Sequence, residues 1–170
     1  RKSNEAALKY FLLGSFSTGI FLYGVSLIYG TTGATNLGLI GASRVKEALD
    51  PGSAPIFLTG VILVTVGLGF KIAAVPFHMW APDAYEGAPT PGTAFLSTGS
   101  KAAAFVVLAR IFSISFLKLG DQWATLLAIL AVASMTLGNI AAILQDNVKR
   151  MLAYSSIAHA GYVLLGMIAI

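Results

Sequence analysis

Three side chains raise the chemical question first. Lys71 directly follows the uncharged run Pro51–Phe70. Lys101 lies about nine residues into another apolar segment, roughly 12 Å deep at helical rise. His78 follows Lys71 by seven positions, two turns if the helix continues. A lysine at mid-membrane depth costs at least about 2.5–3.5 kcal/mol on insertion scales. Such residues usually face a bundle interior and mark ion or proton pathways. Burial favours the neutral form of an amine. An amine that alternates between its two forms carries a proton, and a nearby carboxylate can set when it does so. An imidazole titrates near neutrality and relays protons. The plainer alternative makes each lysine a structural ion pair or a headgroup contact, and His78 a hydrogen-bonded stabiliser of a helix break.

Other polar residues are less pointed. Glu5 and Lys9 stand four apart, an i,i+4 pair at the start of a segment that is either a surface pair or part of a relay. His159 lies about nine residues into the last apolar segment, as a relay group or a satisfied buried histidine. Asp83, Glu86, Lys149 and Arg150 read as solvated loop charges. Arg110 and Lys118 can snorkel to an interface. Trp80, Tyr85 and Trp123 fit an interfacial aromatic belt.

The elements that position these groups follow from composition. Of the 170 residues 56% are hydrophobic and 11% charged, against about 25% charged in a soluble domain. Tyr10–Ser43, Pro51–Phe70, Gln122–Gln145 and Met151–Ile170 contain no Asp, Glu, Lys or Arg. About 20 apolar residues span a bilayer as a helix. A soluble enzyme and a disordered chain are excluded, and an all-α polytopic membrane protein is expected. With no cysteine, disulfides and thiolate-held iron–sulfur clusters are excluded from this chain. Two histidines make a zinc site poor and a bis-His haem barely possible. The net charge of +4 is too small for a nucleic-acid footprint and suits positive flanks of membrane helices.

Four full transmembrane helices are expected, at about 6–29, 55–86, 92–117 and 122–144, with a truncated helix at 151–170. Gly30–Ala54 reads as a loop with a short surface helix near Ser43–Leu49. The second helix would be roughly 46 Å long if straight from Ile56 to Glu86, against a hydrocarbon core of about 30 Å. A break near Pro76 resolves the excess. Helical pattern resumes through Phe77–Trp80, and Ala81–Pro91 reads as a Pro/Gly-rich linker. The freed backbone groups of such a break are tolerated at depth only where protein or water satisfies them, and transporter sites often use such discontinuous helices. Lys118–Asp121 reads as a turn. Arg1, Lys2, Lys149 and Arg150 fall on one side and Arg44, Lys46 and Lys118 on the other, which favours the Arg1 side as cytoplasmic by about one charge. The opening at Arg1 and the close at Ile170 inside an apolar run suggest a piece of a longer chain. No internal repeat or low-complexity tract is evident.

Two blocks carry a family resemblance. The first is Gly69-Phe-Lys71, Pro76-Phe-His-Met-Trp80 and Pro82-Asp-Ala-Tyr85-Glu-Gly87-Ala-Pro89-Thr-Pro91. The second is Asp146-Asn-Val-Lys-Arg150-Met-Leu-Ala-Tyr154-Ser-Ser-Ile-Ala-His159-Ala-Gly-Tyr162. Together they resemble the antiporter-like membrane subunits of proton-pumping NADH:quinone oxidoreductase, complex I, over nearly the whole chain. The Tyr85–Pro91 form and the opening Glu5-Ala-Ala-Leu-Lys-Tyr10 resemble the subunit N (subunit 2) branch. The L and M branches and the multisubunit cation/proton antiporters often carry a histidine in the stretch held here by Phe95-Leu-Ser-Thr-Gly99.

The resemblance implies a fragment of a fourteen-helix antiporter-like fold with two inverted five-helix repeats, running from helix six into helix ten. Lys71 matches the family's helix-seven lysine, Lys101 its helix-eight lysine, Lys9 a lysine on helix six and His78 the histidine past the break. A helix-five glutamate and a helix-twelve lysine fall outside this chain, so a complete proton channel is not expected from it alone. Lys71, Lys101, His78 and Lys9 are the expected relay, with Glu5 and His159 in support. No cofactor is expected in this chain; flavin, iron–sulfur clusters and quinone belong to other subunits. The expected partners are adjacent antiporter-like subunits, small membrane subunits of the complex and the lipid bilayer. The expected location is a bacterial plasma membrane or an organellar energy-transducing membrane. The alternatives are a subunit of a sodium/proton antiporter, a structural scaffold and a bis-His haem protein on His78 and His159.

Overall fold

A computed structural model of the chain describes residues 2–116 and 119–169. Arg1 and Lys118, which enter the charge-sidedness argument, lie outside the described residues. So do Leu117, where the third segment was expected to end, and Ile170.

Helix α1 runs Lys2–Thr32, longer at both ends than expected. It stops where Gly33 takes φ +64 and its amide donates to Tyr29 O, a conformation that glycine adopts without a Cβ penalty. The expected loop that follows contains two short helices, α2 (Leu37–Leu39) and α3 (Val45–Ala48), separated by a π-turn at Ile40–Arg44. Asn36 caps α2 by accepting from the amides of Gly38 and Leu39.

Helix α4 is Ala54–Ile72, with Pro55 in its first turn. It ends four residues before Pro76. Proline lacks the amide that would bond Ile72 O, and its ring crowds that carbonyl. Ala73 turns into the left-handed region at φ +56. The chain re-enters a helix as α5, Trp80–Gly87. The expected Ala81–Pro91 linker is therefore largely helical. Pro82 does not prevent this, because proline is tolerated in a first turn. The third span is built from α6 (Thr90–Phe95), a π-turn at Leu96–Ser100 and α7 (Lys101–Ser115). Helices α8 (Gly120–Ile143) and α9 (Val148–Ile168) complete the described chain. Asn147 caps α9 through the amides of Lys149 and Arg150.

Among the described residues five helical stretches are long and apolar enough to cross a membrane: Ser3–Thr32, Ala54–Ile72, Thr90–Ser115, Trp123–Ile143 and Val148–Ile168. Their outer faces stay apolar: Phe11, Phe16, Val106 and Ile143 are exposed, as expected of surfaces that meet lipid. One core joins α4, α7, α8 and the end of α9 through Phe57, Leu108, Phe112, Leu127 and Leu164. A second gathers Phe70, Trp80, Tyr85 and Ile157 around the break. Trp80 and Tyr85 are thus buried at 3% and 2% exposure and are not part of an interfacial belt. The physical reason is that α5 turns them inward, against α1 and α9.

Small residues set the helix spacing, as van der Waals packing in a membrane requires. Antiparallel α1 and α4 meet at Gly24 and Gly60; a Cβ on Gly24 would lie 2.8 Å from Gly60 O. Helices α8 and α9 meet at Gly138, where a Cβ would fall 2.7 Å from the Ala158 amide nitrogen. Backbone cannot move aside as a flexible side chain can. Gly138→Leu is therefore expected to force α8 from α9 and to lower stability by at least about 1–3 kcal/mol. A lowered melting midpoint of the full-length protein in detergent checks this, and an unchanged midpoint refutes the close crossing.

Candidate functional site

The break leaves backbone groups that must be satisfied away from water. Ala73 and Ala74 donate their amides back to Phe70 O and Gly69 O. Phe70 O also accepts from the Trp80 indole at 2.9 Å. The Val75 amide donates to Ser134 Oγ on α8 at 2.9 Å, and that hydroxyl donates in turn to Leu130 O at 2.6 Å. Lys71 stands in the last turn of α4, where the negative end of the helix dipole favours a cation. Its Nζ lies 5.7 Å from the centre of the Tyr10 ring, within cation–π range. His78 sits in the break itself, half-buried, with Nδ1 enclosed and lacking a hydrogen-bond partner among the described residues. The helix does not continue between Lys71 and His78, so the two-turn spacing does not apply.

Lys101 is 6% exposed at the junction of the π-turn and α7. Its Nζ donates to Ser156 O at 2.7 Å and Ser156 Oγ at 2.6 Å. Among the described residues no carboxylate pairs with it. A buried amine held by neutral oxygens alone is not a structural ion pair, and its charged form lacks the compensation that burial ordinarily demands.

Charge compensation is instead concentrated where α1, α5 and α9 meet. Asp83 accepts from Lys9 at 2.8 Å through Oδ2 and from Arg150 at 2.6 Å through Oδ1. Lys9 also pairs with Glu5 at 2.7 Å, and Arg150 with Glu86 at 3.2 Å. These residues line a cavity of about 250 Å3. Asp83, Glu86 and Arg150 are therefore not solvated loop charges. Helix α5 carries both carboxylates to two neighbouring helices. Lys9 belongs to this cluster, and Lys101 is held separately from it.

His159 is exposed on α9, with Nδ1 2.8 Å from Ser155 O. It is not a buried histidine. With Tyr85, Thr93, Lys149 and Ser156 it lines a second cavity, about 430 Å3. His159 and His78 do not share a site. Among the described residues no three His, Cys, Asp or Glu side chains gather as metal ligands.

A family model described as the transmembrane region of NADH:quinone oxidoreductase and Mrp antiporters matches residues 1–170. The chain belongs to this NADH:quinone oxidoreductase/Mrp antiporter family. It is similar to NADH-quinone oxidoreductase subunit N of Trichlorobacter lovleyi, 58% identical across 97% of this chain and 34% of that protein. It is also similar to a chain of respiratory complex I from Thermus thermophilus, at TM-score 0.79 and 45% identity over 98% of this chain and 35% of the other. A chain of the Mrp complex from Dietzia matches at TM-score 0.84 and 28% identity, over 96% and 29%. The chain spans about a third of the length of the curated relatives it matches. It is an integral membrane protein, all-α, with an antiporter-like fold.

In this family member the unforeseen residues are Ser134, Ser156, Asp83 and Arg150. A serine in an apolar helix gives no sign in sequence of the distant group that it serves; Ser134 is 59 positions from Val75 and Ser156 is 55 from Lys101. The pairing of Asp83 with Arg150 had one available signal. Opposite charges flanking membrane segments are costly to leave unpaired.

Proposed function

We propose that the chain is the central part of a proton-translocating membrane subunit of NADH:quinone oxidoreductase, of the subunit N type. The observation that carries this reading is Lys101, a buried amine held by serine oxygens and, among the described residues, by no carboxylate. Such a group can lose its proton without leaving a partner charge behind. Lys71, at the end of a broken helix, is the switchable carrier. Lys101 receives from it, with His78 beside the break and Lys9 at the ionic cluster completing the relay. Glu5 and His159 act in support, at the two cavity mouths that they line. Electron transfer through flavin, iron–sulfur clusters and quinone belongs to other subunits, and this chain supplies no cofactor ligand. Its partners are adjacent antiporter-like subunits and small membrane subunits, in a bacterial plasma membrane or an organellar energy-transducing membrane.

A second reading, a subunit of a sodium/proton antiporter, draws on the fold match to the Mrp chain. The higher identity to complex I relatives supports the first. The purified parent complex in proteoliposomes separates the two. Proton movement that requires NADH and quinone, and is indifferent to replacing sodium by potassium, is the expected result. Sodium-driven proton exchange without an electron donor would overturn it.

A further inference from the structure

We propose that Tyr85 is a hydroxyl relay that joins Lys101 to the Lys71 end of the broken helix, an inference resting on the proton-transfer reading above. Tyr85 is 2% exposed, yet its Oη makes no hydrogen bond of good geometry among the described residues, although the Ser156 hydroxyl is close enough to act on it. A buried phenol normally finds one, and leaving it unsatisfied costs its full desolvation. For packing alone, phenylalanine would serve better here. The ring already meets Trp80 edge-to-face at 5.8 Å, and Trp80 meets Tyr10 at 4.9 Å.

The placement of the hydroxyl suggests what it does. On one side, in the lining of a cavity they share, is Ser156, whose hydroxyl is 2.6 Å from Lys101 Nζ. On the other, across the Trp80 ring, stands Tyr10, whose ring carries Lys71 Nζ at 5.7 Å. Tyr85 is therefore linked to Lys101 through Ser156 and, through the rings of Trp80 and Tyr10, to the Lys71 end of the break. Tyr85 and Ser156 line the 430 Å3 cavity together with Thr93, Ser97 and His159, and it is roomy enough for several waters at about 30 Å3 each, with those polar groups as their partners.

The transfer balances. An N–H bond of the Lys71 ammonium breaks and water takes the proton; water is the one co-reactant. A proton from that water forms a new O–H bond at Tyr85 Oη as the original phenol O–H bond breaks toward Ser156. Ser156 repeats the exchange, and the electron pair of neutral Lys101 accepts the proton. Lys71 ends neutral and Lys101 charged. Tyr85 and Ser156 end as they began, and no electrons are exchanged.

The test uses the parent complex in proteoliposomes, with protons moved per NADH oxidised as the readout. Tyr85→Phe is expected to lower this ratio at least fivefold with no loss of thermal stability. An unchanged ratio in Tyr85→Phe, alongside a Lys101→Met complex that has lost pumping, overturns the relay and leaves the wider reading standing. Normal pumping in both removes the wider reading as well. A fluorotyrosine at position 85 keeps the hydroxyl and makes it more acidic, so it serves where Tyr85→Phe does not assemble. Pumping retained with a shifted pH profile supports the relay, and an unshifted profile refutes it.

Discussion

A parent complex carrying Lys101→Met is expected to assemble, to melt at or above the wild-type temperature, and to move protons at about a tenth of the wild-type rate or less. The stability half follows from burial. Lys101 is enclosed and held by the two oxygens of Ser156. Replacing a buried charged group by an apolar one of similar volume is often neutral or stabilising. The freed Ser156 hydroxyl lines the 430 Å3 cavity, which has room for a water that can satisfy it. The rate half follows from acid–base function, since a positioned proton-transfer group typically contributes roughly 10²–10⁴-fold. The two readouts move independently, so a misfolded variant is not mistaken for a disabled one. Proton pumping measured against NADH oxidation in proteoliposomes decides the matter. A Lys101→Met complex that pumps normally would falsify the role given to this amine.

The second large effect separates charge from proton exchange at Lys71. Lys71→Ala removes a cation from the end of α4 and from the face of Tyr10. These contacts are worth about 0.3–1 and 0.5–2 kcal/mol respectively. The alanine variant is therefore expected to lose both pumping and some stability. Lys71→Arg is the sharper experiment. A guanidinium stays protonated at any working pH, so it keeps the helix-end charge and the ring contact. If Lys71 is only a structural cation, arginine restores both stability and pumping. If Lys71 gives up its proton in each cycle, arginine restores stability while pumping stays at least about tenfold down. Melting curves and proton uptake on the same preparation distinguish these outcomes.

Some of this arrangement was readable from residue types alone. Lys71 and Lys101 stand out because a charge is costly within an apolar run, and Pro76 announces a break because no helix continues smoothly through a proline. The helix end lies earlier, at Ile72, since a proline acts on the carbonyl four residues before it. The stretch after the break reads as a linker because Pro82 and Gly87 suggest loop when counted as breakers, yet they stand in the first turn and at the last residue of α5. Trp80 illustrates a different limit. Its amphipathic ring suits a membrane interface as well as a buried site with one carbonyl to satisfy. Only the position of Phe70 O decides between them. Asp83 and Arg150 were legible as charges but not as a pair, because their meeting depends on how α9 folds back over 67 residues of chain.

That last separation has a bearing on biogenesis. Helix α5 has eight residues, about 12 Å of helix, too short to cross the bilayer unaided. Asp83 shares Lys9 from α1, already synthesised, but Arg150 leaves the ribosome 67 residues later. At roughly 5–20 residues per second, half of the clamp on α5 is missing for several seconds. During that interval α4 can span while α5 waits near the headgroups. Until α9 is made, α5 is held through α1 alone, by the Lys9–Asp83 pair and the contact of Trp80 with Tyr10.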